Sequence, residues 1–202
     1  MINENLSKNQ NFFDKWASTY DKKLFQFWMQ KFQNPVLKVL KEAPKDVKIL
    51  DISCGSGNLL DKLVKLNFKN LHGFDISKKM LKVAKEKLPS TVILQHGDVH
   101  KLPFSENTFD YVITTEAFHH YHSQNKALSE MKRVVKIKGD VIVVDINFFL
   151  RPIHFLFEKF EPGCTKVNSK QEIYTLFKES KLKKIQQQRN ALFAIMTRGV
   201  KE

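Results

Sequence analysis

The chain has 202 residues, of which 42% are hydrophobic and 27% charged, with a formal net charge of +13. That is enough chain for one globular domain with a full core, 1–202, and the composition is ordinary for a soluble globular protein, while no apolar run approaches the roughly 20 residues of a membrane span. The two cysteines, Cys54 and Cys164, are far apart and predict no structural disulfide, and the opening residues lack the layout of a signal peptide, so a cytoplasmic setting is expected.

Taken in order, residues 8–20 place Phe12, Phe13, Trp16 and Tyr20 at helical spacing, and Leu24, Trp28, Phe32, Val36 and Leu40 then recur every fourth residue. Pro35 is expected to break this helix or to open a new first turn. Val47, Ile49, Leu50 and Ile52 read as a strand covered on both faces. The small-residue turn Ser53-Cys54-Gly55-Ser56-Gly57 follows, with Asn58 as the expected N-cap of the next helix. A second strand, Leu71 to Asp75, ends in an acid, and Ser77 caps a helix with Met80, Leu81, Ala84 and Leu88 on one face. Thr91 to His96 is the third strand and leads into Gly97-Asp98-Val99.

Pro103 and Asn107 break the chain before a fourth strand, Phe109 to Thr114. Ala127, Leu128, Met131, Val134 and Val135 define a helix for which Gly139 is the expected C′ residue, and Val141 to Ile146 is a fifth strand. An aromatic segment, 147–160, and a helix with Ile173, Leu176 and Phe177 come next. Two last strands near 182–188 and 191–197 predict a hairpin around Arg189-Asn190, with Gln186-Gln187-Gln188 as a polar sheet edge. The alternation predicts a doubly wound α/β sheet of order 3-2-1-4-5-7-6 with strand 7 antiparallel.

Asp51, Asp75 and Asp98 stand at the ends of three successive strands, where open α/β sheets bind ligands. Asp75 follows the glycine turn by about 20 residues, the position from which a carboxylate accepts from ribose hydroxyls. The turn lacks the third glycine of a dinucleotide fingerprint, since Leu59 and Leu60 follow Gly57. The lysines are spread along the polar faces of the predicted helices, and arginine occurs only at 133, 151, 189 and 198. Nucleic acid is therefore an open but not a favoured partner.

Four stretches together carry a resemblance. Asp51-x-Ser53-x-Gly55-x-Gly57 is similar to E/D-x-G-x-G-x-G, with Ser53 in place of the first glycine. Phe13-Asp14-x-x-Ala17-x-x-Tyr20-Asp21 is similar to F-D-x-x-A-x-x-Y-D. Leu102-Pro103-Phe104 with Phe109-Asp110-x-Val112 matches L-P-F-x-x-x-x-F-D-x-V. The helix and strand from Glu130 to Asp140 resemble E-M-x-R-V-x-K-x-G-G, with one residue more before Gly139 and with Asp140 for the last glycine. These are the motifs of class I S-adenosylmethionine (SAM) methyltransferases of type 11, the ubiquinone/menaquinone methyltransferase-like family.

The resemblance implies a site. Asp51, Ser53, Gly55 and Gly57 would meet the methionine end of SAM, with Asp51 facing its ammonium, and Tyr20 would reach the same end from an N-terminal helical lid, 1–45. Asp75 and Ile76 would hold the ribose, Asp98 and Val99 the adenine, and Thr115 closes the expected cofactor set. Beyond the fourth strand, His119 or His120 is the candidate to take a proton from the acceptor, a histidine titrating near working pH. No N-P-P-Y-like sequence stands there, which lowers methylation of adenine or glutamine nitrogens. Residues 147–168 occupy the place of an acceptor cover, and their phenylalanines, with Phe12, Phe13 and Trp16, are expected to wall an apolar pocket for a small lipophilic acceptor such as a quinol ring. Arg151 and Lys159 add a possible contact with an anionic membrane surface. No metal is expected. An RNA methyltransferase and a SAM-binding protein without catalysis are the alternatives.

Overall fold

The computed structural model describes residues 10–11, 14–15, 23–148, 150–190 and 193–202. The expectations placed on Phe12, Phe13, Trp16, Tyr20 and Phe149 lie outside these. The first half contains α1 (Lys23–Leu40), β1 (Lys48–Ile52), α2 (Asn58–Lys65), β2 (Asn70–Asp75), α3 (Lys78–Lys87), β3 (Ile93–His96) and β4 (Phe109–Thr115). A single 3₁₀ turn, Phe118–His120, leads to α4 (Gln124–Val134), β5 (Val135–Ile146), α5 (Arg151–Phe160), α6 (Lys170–Glu179), β6 (Lys183–Asn190) and β7 (Ala194–Val200). The seven strands form one sheet in the order β3-β2-β1-β4-β5-β7-β6. Only β7 runs antiparallel to its neighbours.

The pleat divides the core into two layers. Ile49 of β1, Ile113 of β4 and Ile142 and Val144 of β5 face Phe32, Val36, Leu59, Leu60 and Leu63 from α1 and α2. Their neighbours Leu50, Val112, Val141 and Val143 face the other way, onto Leu128 and Met131 of α4 and Ile173 and Phe177 of α6. This is the two-residue period of a strand buried on both faces. It also explains why α1 passes through Pro35 unbroken. Phe32, Val36 and Leu40 are all fully buried, and about 1.5–3 kcal/mol for each outweighs the roughly 3 kcal/mol that an internal proline costs.

Three local expectations are corrected. Gly57, not Asn58, caps α2, at φ 79°. A Cβ on Gly57 would come within 2.7 Å of Leu88 Cδ1, so the position requires glycine for conformation and for space alike. Gly139 is no helix C′ residue: α4 ends at Val134 and the chain passes directly into β5, where a Cβ on Gly139 would lie 2.8 Å from the Asp110 carbonyl oxygen. The hairpin turn falls past Asn190, because Arg189 and Asn190 still pair with Ile195 and Ala194. There the Arg189 guanidinium donates to the Asn147 carbonyl at 2.7 Å.

Two of the motifs turn out to hold the frame. Asp110 Oδ2 accepts the Lys48 backbone N–H at 2.7 Å, and Lys136 Nζ donates to the same carboxylate at 2.8 Å, so it staples the starts of β1 and β5 to β4. Arg133 donates to the carbonyls of Phe104 and Leu102, while Glu130 accepts the Leu102 N–H at 2.8 Å. Asp110→Ala is expected to cost about 1–3 kcal/mol in urea denaturation while leaving ligand affinity unchanged. A loss of affinity at unaltered stability would contradict this structural role.

Candidate active site

Parallel strands bring their carboxyl ends to one edge, and the register fixes which residues meet there. Ile52 lies beside Phe74 and Thr114, and Asp75 lies beside His96. A cavity opens at this edge, lined by Ser53, Gly55, Asp75, Ile76, Asp98, Val99, Thr115 and His120, together with Phe74, Met80, Gly97, His100, Glu116, Ala117, Tyr121 and His122. Asp51, Gly57 and His119 were also expected at the site but are not part of the lining.

The turn after β1 is built for close approach. Ser53 has φ 56° and Gly55 φ 53°. Ser53 thus keeps the left-handed backbone for which glycine is the usual residue, at a cost of about 1–2 kcal/mol. Its hydroxyl shares a hydrogen bond with the Tyr121 hydroxyl at 2.9 Å, and Tyr121 shares another with Thr114 Oγ1, also at 2.9 Å. Burial drives the Tyr121 phenol well above its usual range, so it stays a neutral link in this chain.

Asp75 accepts the Gly55 N–H on Oδ2 and the Ser77 N–H on Oδ1, both at 2.8 Å. Burial raises its pKa to about 6, against the pull of those two donors. Ser77 caps α3 through the Met80 N–H, as expected, and its hydroxyl donates to Asp14 at 2.5 Å. That bond brings Asp14 to the Asp75 end of the cavity. Asp98 Oδ1 accepts from His100 N–H at 3.0 Å and from His100 Nδ1 at 2.5 Å. Burial would raise Asp98, but the His100 bonds outweigh it and hold the carboxyl below its usual range. Asp51 is buried on the Ile49 side of β1, and its Oδ1 has no hydrogen-bond partner among the described residues. Burial, then the Asp75 charge, push it well above the usual carboxylate range.

The far end of the cavity gathers three titratable side chains, His120, His119 and Glu116. His120 lines it, and burial followed by the neighbouring His119 charge push its pKa well below the usual value. The ring is therefore neutral. His119 lies behind it, ring centroids 4.1 Å apart, with Nδ1 2.6 Å from Asp145 Oδ1. Burial opposes charge on His119, yet Asp145 and then Glu116 outweigh that and raise its pKa. Glu116 is the residue that sequence reading passed over. It stands at φ 52° just past β4 and accepts a hydrogen bond from the Trp28 indole N–H. Burial lifts its pKa to about 8. An acid at the tip of the fourth strand, after acids at the first three, was the available signal.

The segment expected to cover the acceptor braces this end from behind. Thr165 and Lys166 N–H groups donate to the His119 carbonyl at 2.8 and 3.1 Å, and Phe157 stands edge-on to the His119 ring at 5.9 Å. Phe155 does not wall the pocket; it points outward. Among the described residues no group of three or more His, Cys, Asp or Glu side chains is arranged to hold a metal ion.

The residues present suit SAM. Four carboxylates lie at or beneath the cavity, which no lysine or arginine lines among the described residues, although the chain as a whole is strongly basic. A cationic sulfonium and ammonium match that lining, whereas a pyrophosphate would find no cation in it. Doubly wound sheet, glycine turn and a buried acid at the tip of the second strand together define an α/β enzyme fold of the class I methyltransferase type. A family described as the methyltransferase domain matches residues 50–143. An uncharacterized methyltransferase of Anoxybacillus flavithermus is 30% identical over 69% of this chain and 68% of its own length. Demethylmenaquinone methyltransferase of Bacillus licheniformis is 29% identical, over 79% of this chain and 73% of its own. Among solved structures, the methyltransferase of Haloferax volcanii in complex with the Trm112 activator superposes with a TM-score of 0.79 at 20% identity, covering 93% of this chain and 96% of that one. The chain belongs to the SAM-dependent methyltransferases of this domain family.

The buried Glu116 gives stability a pH signature. Folded protein holds its proton up to about pH 8, while the unfolded chain releases it near the ordinary value of about 4.3. The folded state binds more protons between these limits, so stability falls as pH rises through them. Thermal melts are expected to show a decline over this window that is shallower in Glu116→Gln. Parallel curves for the two proteins would refute the buried acid.

Proposed function

We propose that the cavity binds SAM and that the chain transfers its methyl group to a small apolar or amphiphilic acceptor, a quinone-like ring being the class that the relatives' names support. The observation that carries this is the acid-lined cavity at the carboxyl edge of the sheet, which no lysine or arginine lines among the described residues, in a chain of net charge +13. SAM supplies, when bound, an electrophilic methyl on a sulfonium. Asp75, with the Ile76 backbone beside it, would take the ribose hydroxyls, since each carboxylate oxygen spends one lone pair on a backbone N–H and keeps another. Asp98, through the oxygen that His100 leaves open, and the Val99 N–H would take the adenine. Ser53, Gly55 and Gly57 let the chain approach the methionine end, Thr115 closes the far wall, and Asp51 lies beneath as counter-charge for the ammonium. Tyr20 belongs to this set as part of a lid over 1–45, a role in keeping with the Asp14–Ser77 bond.

At the acceptor end His120 is the proton acceptor in this reading, because it is a neutral ring facing the cavity, and His119 positions it through the Asp145 pair. Glu116, protonated below about pH 8, would donate a hydrogen bond to an acceptor oxygen. The protein mainly orients the acceptor and excludes water.

Calorimetry tests the cofactor. Asp75→Asn is expected to weaken SAM binding by about 1.5–3 kcal/mol, roughly tenfold to a hundredfold. In the wild type, affinity should fall as pH drops below about 6, where Asp75 becomes protonated. NAD binding tighter than SAM would end the reading. His120→Ala is expected to lower kcat about 10²–10⁴-fold with little change in SAM affinity; turnover within a few-fold of wild type would remove His120 as the base.

A further inference from the structure

Helix α5 is turned inside out. Its inward side is partly polar: His154 donates to the Phe148 carbonyl at 2.8 Å, and Glu158 accepts the Val167 N–H at 2.7 Å. Its outward side is apolar, with Phe155 and Phe160 each 68% exposed, Leu156 56%, and Leu150, just before the helix, 61%. Ile153, Leu156 and Phe160 recur at helical spacing, so these side chains form one stripe and not a scatter. A soluble protein rarely shows such a contiguous patch without a partner.

The surroundings narrow the occupant. Lys159 and Lys170 are exposed along the same stretch, 150–170, while Lys166 is paired with Glu172 at 3.0 Å and Glu158 is engaged inward, and the whole chain carries +13. A second copy would bring like charge to like charge. A nucleic acid would use the lysines but leave the aromatic stripe unburied. An anionic bilayer surface uses both, apolar side chains entering the acyl boundary and lysines meeting headgroup phosphates. The ten-residue helix is about 15 Å long, and no helix among the described residues is long and apolar enough to cross a membrane. Contact would be in the plane of the interface.

We propose that the outward face of α5, with its flanking lysines, docks the protein on anionic lipid surfaces. The inference stands whether or not the acceptor is a quinone. It is tested by co-sedimentation with phosphatidylcholine vesicles made with and without phosphatidylglycerol, using wild type, Phe155→Ser/Leu156→Ser, Lys159→Glu, and Ile137→Ser as an exposed apolar control far from α5 in sequence. Wild type and control should bind the anionic vesicles, less so at high salt. The double variant should lose at least about tenfold in partitioning and Lys159→Glu a few-fold, both with unchanged melting temperature. Binding that survives in the double variant would be adsorption by net charge alone and would overturn the proposal, as would no binding at all. A wild-type dimer that the double variant dissolves would assign the face to a second copy. A melting temperature that drops in the double variant would mean the face is covered from within the chain. Either result would likewise refute lipid docking.

Discussion

A single buried carboxylate couples the two parts of the chain that shape the cavity. Asp75 takes the Gly55 N–H on one oxygen and the Ser77 N–H on the other, both at 2.8 Å. The first bond fixes the turn leaving β1, and the second fixes the entry to α3. Neither donor could be satisfied by the sheet, since both lie past the ends of their strands, and an unpaired buried N–H is costly. The glycine turn, the capped helix and the floor of the cavity are therefore one assembly. Its geometry depends on an acid remaining where burial disfavours its charge.

That charge sits within a wider imbalance. The surface is strongly cationic, but Asp51, Asp75, Asp98 and Glu116 gather at one sheet edge, and burial raises the pKa of three of them. Such a site is electrostatically unfinished. A cation placed among these groups favours their ionised forms and offsets part of the desolvation they bear. The surface lysines act over a different range, since exposed charges are screened beyond about 8 Å at physiological salt. A basic chain and an acidic pocket are thus compatible in one molecule.

The sheet order was legible because apolar runs, turn residues and strand-end acids all reported the same alternation. That Asp75, Asp98, Ser53 and Gly55 would gather along one cavity was legible for the same reason: a carboxyl edge collects whatever ends the strands. Contacts between distant segments were not. Nothing in the sequence joins Trp28 to Glu116 or His119 to Asp145, which are 88 and 26 residues apart. Gly139 was misread because helix-ending glycines and close-packed strand glycines look alike in one dimension, and here the neighbour it admits is the Asp110 carbonyl. Pro35 was misread because the burial of Phe32 and Val36 around it is a tertiary fact. The phenylalanines after β5 were read as a single wall, but helical geometry sends Phe157 inward and Phe155 outward.

Trp28 is one of only two tryptophans in the chain. Its indole lies flat on Phe193, with ring centroids 4.1 Å apart and planes 7° from parallel, and its N–H reaches Glu116 in the cavity wall. Helix α1, the β6–β7 turn and the cavity wall thus converge on one fluorophore. The emission of an indole responds to the charge and hydration of whatever its N–H touches. The protein carries its own optical reporter, in which a change in the ionisation of one carboxyl, or the arrival of a molecule beside it, is written into its intrinsic fluorescence without any label.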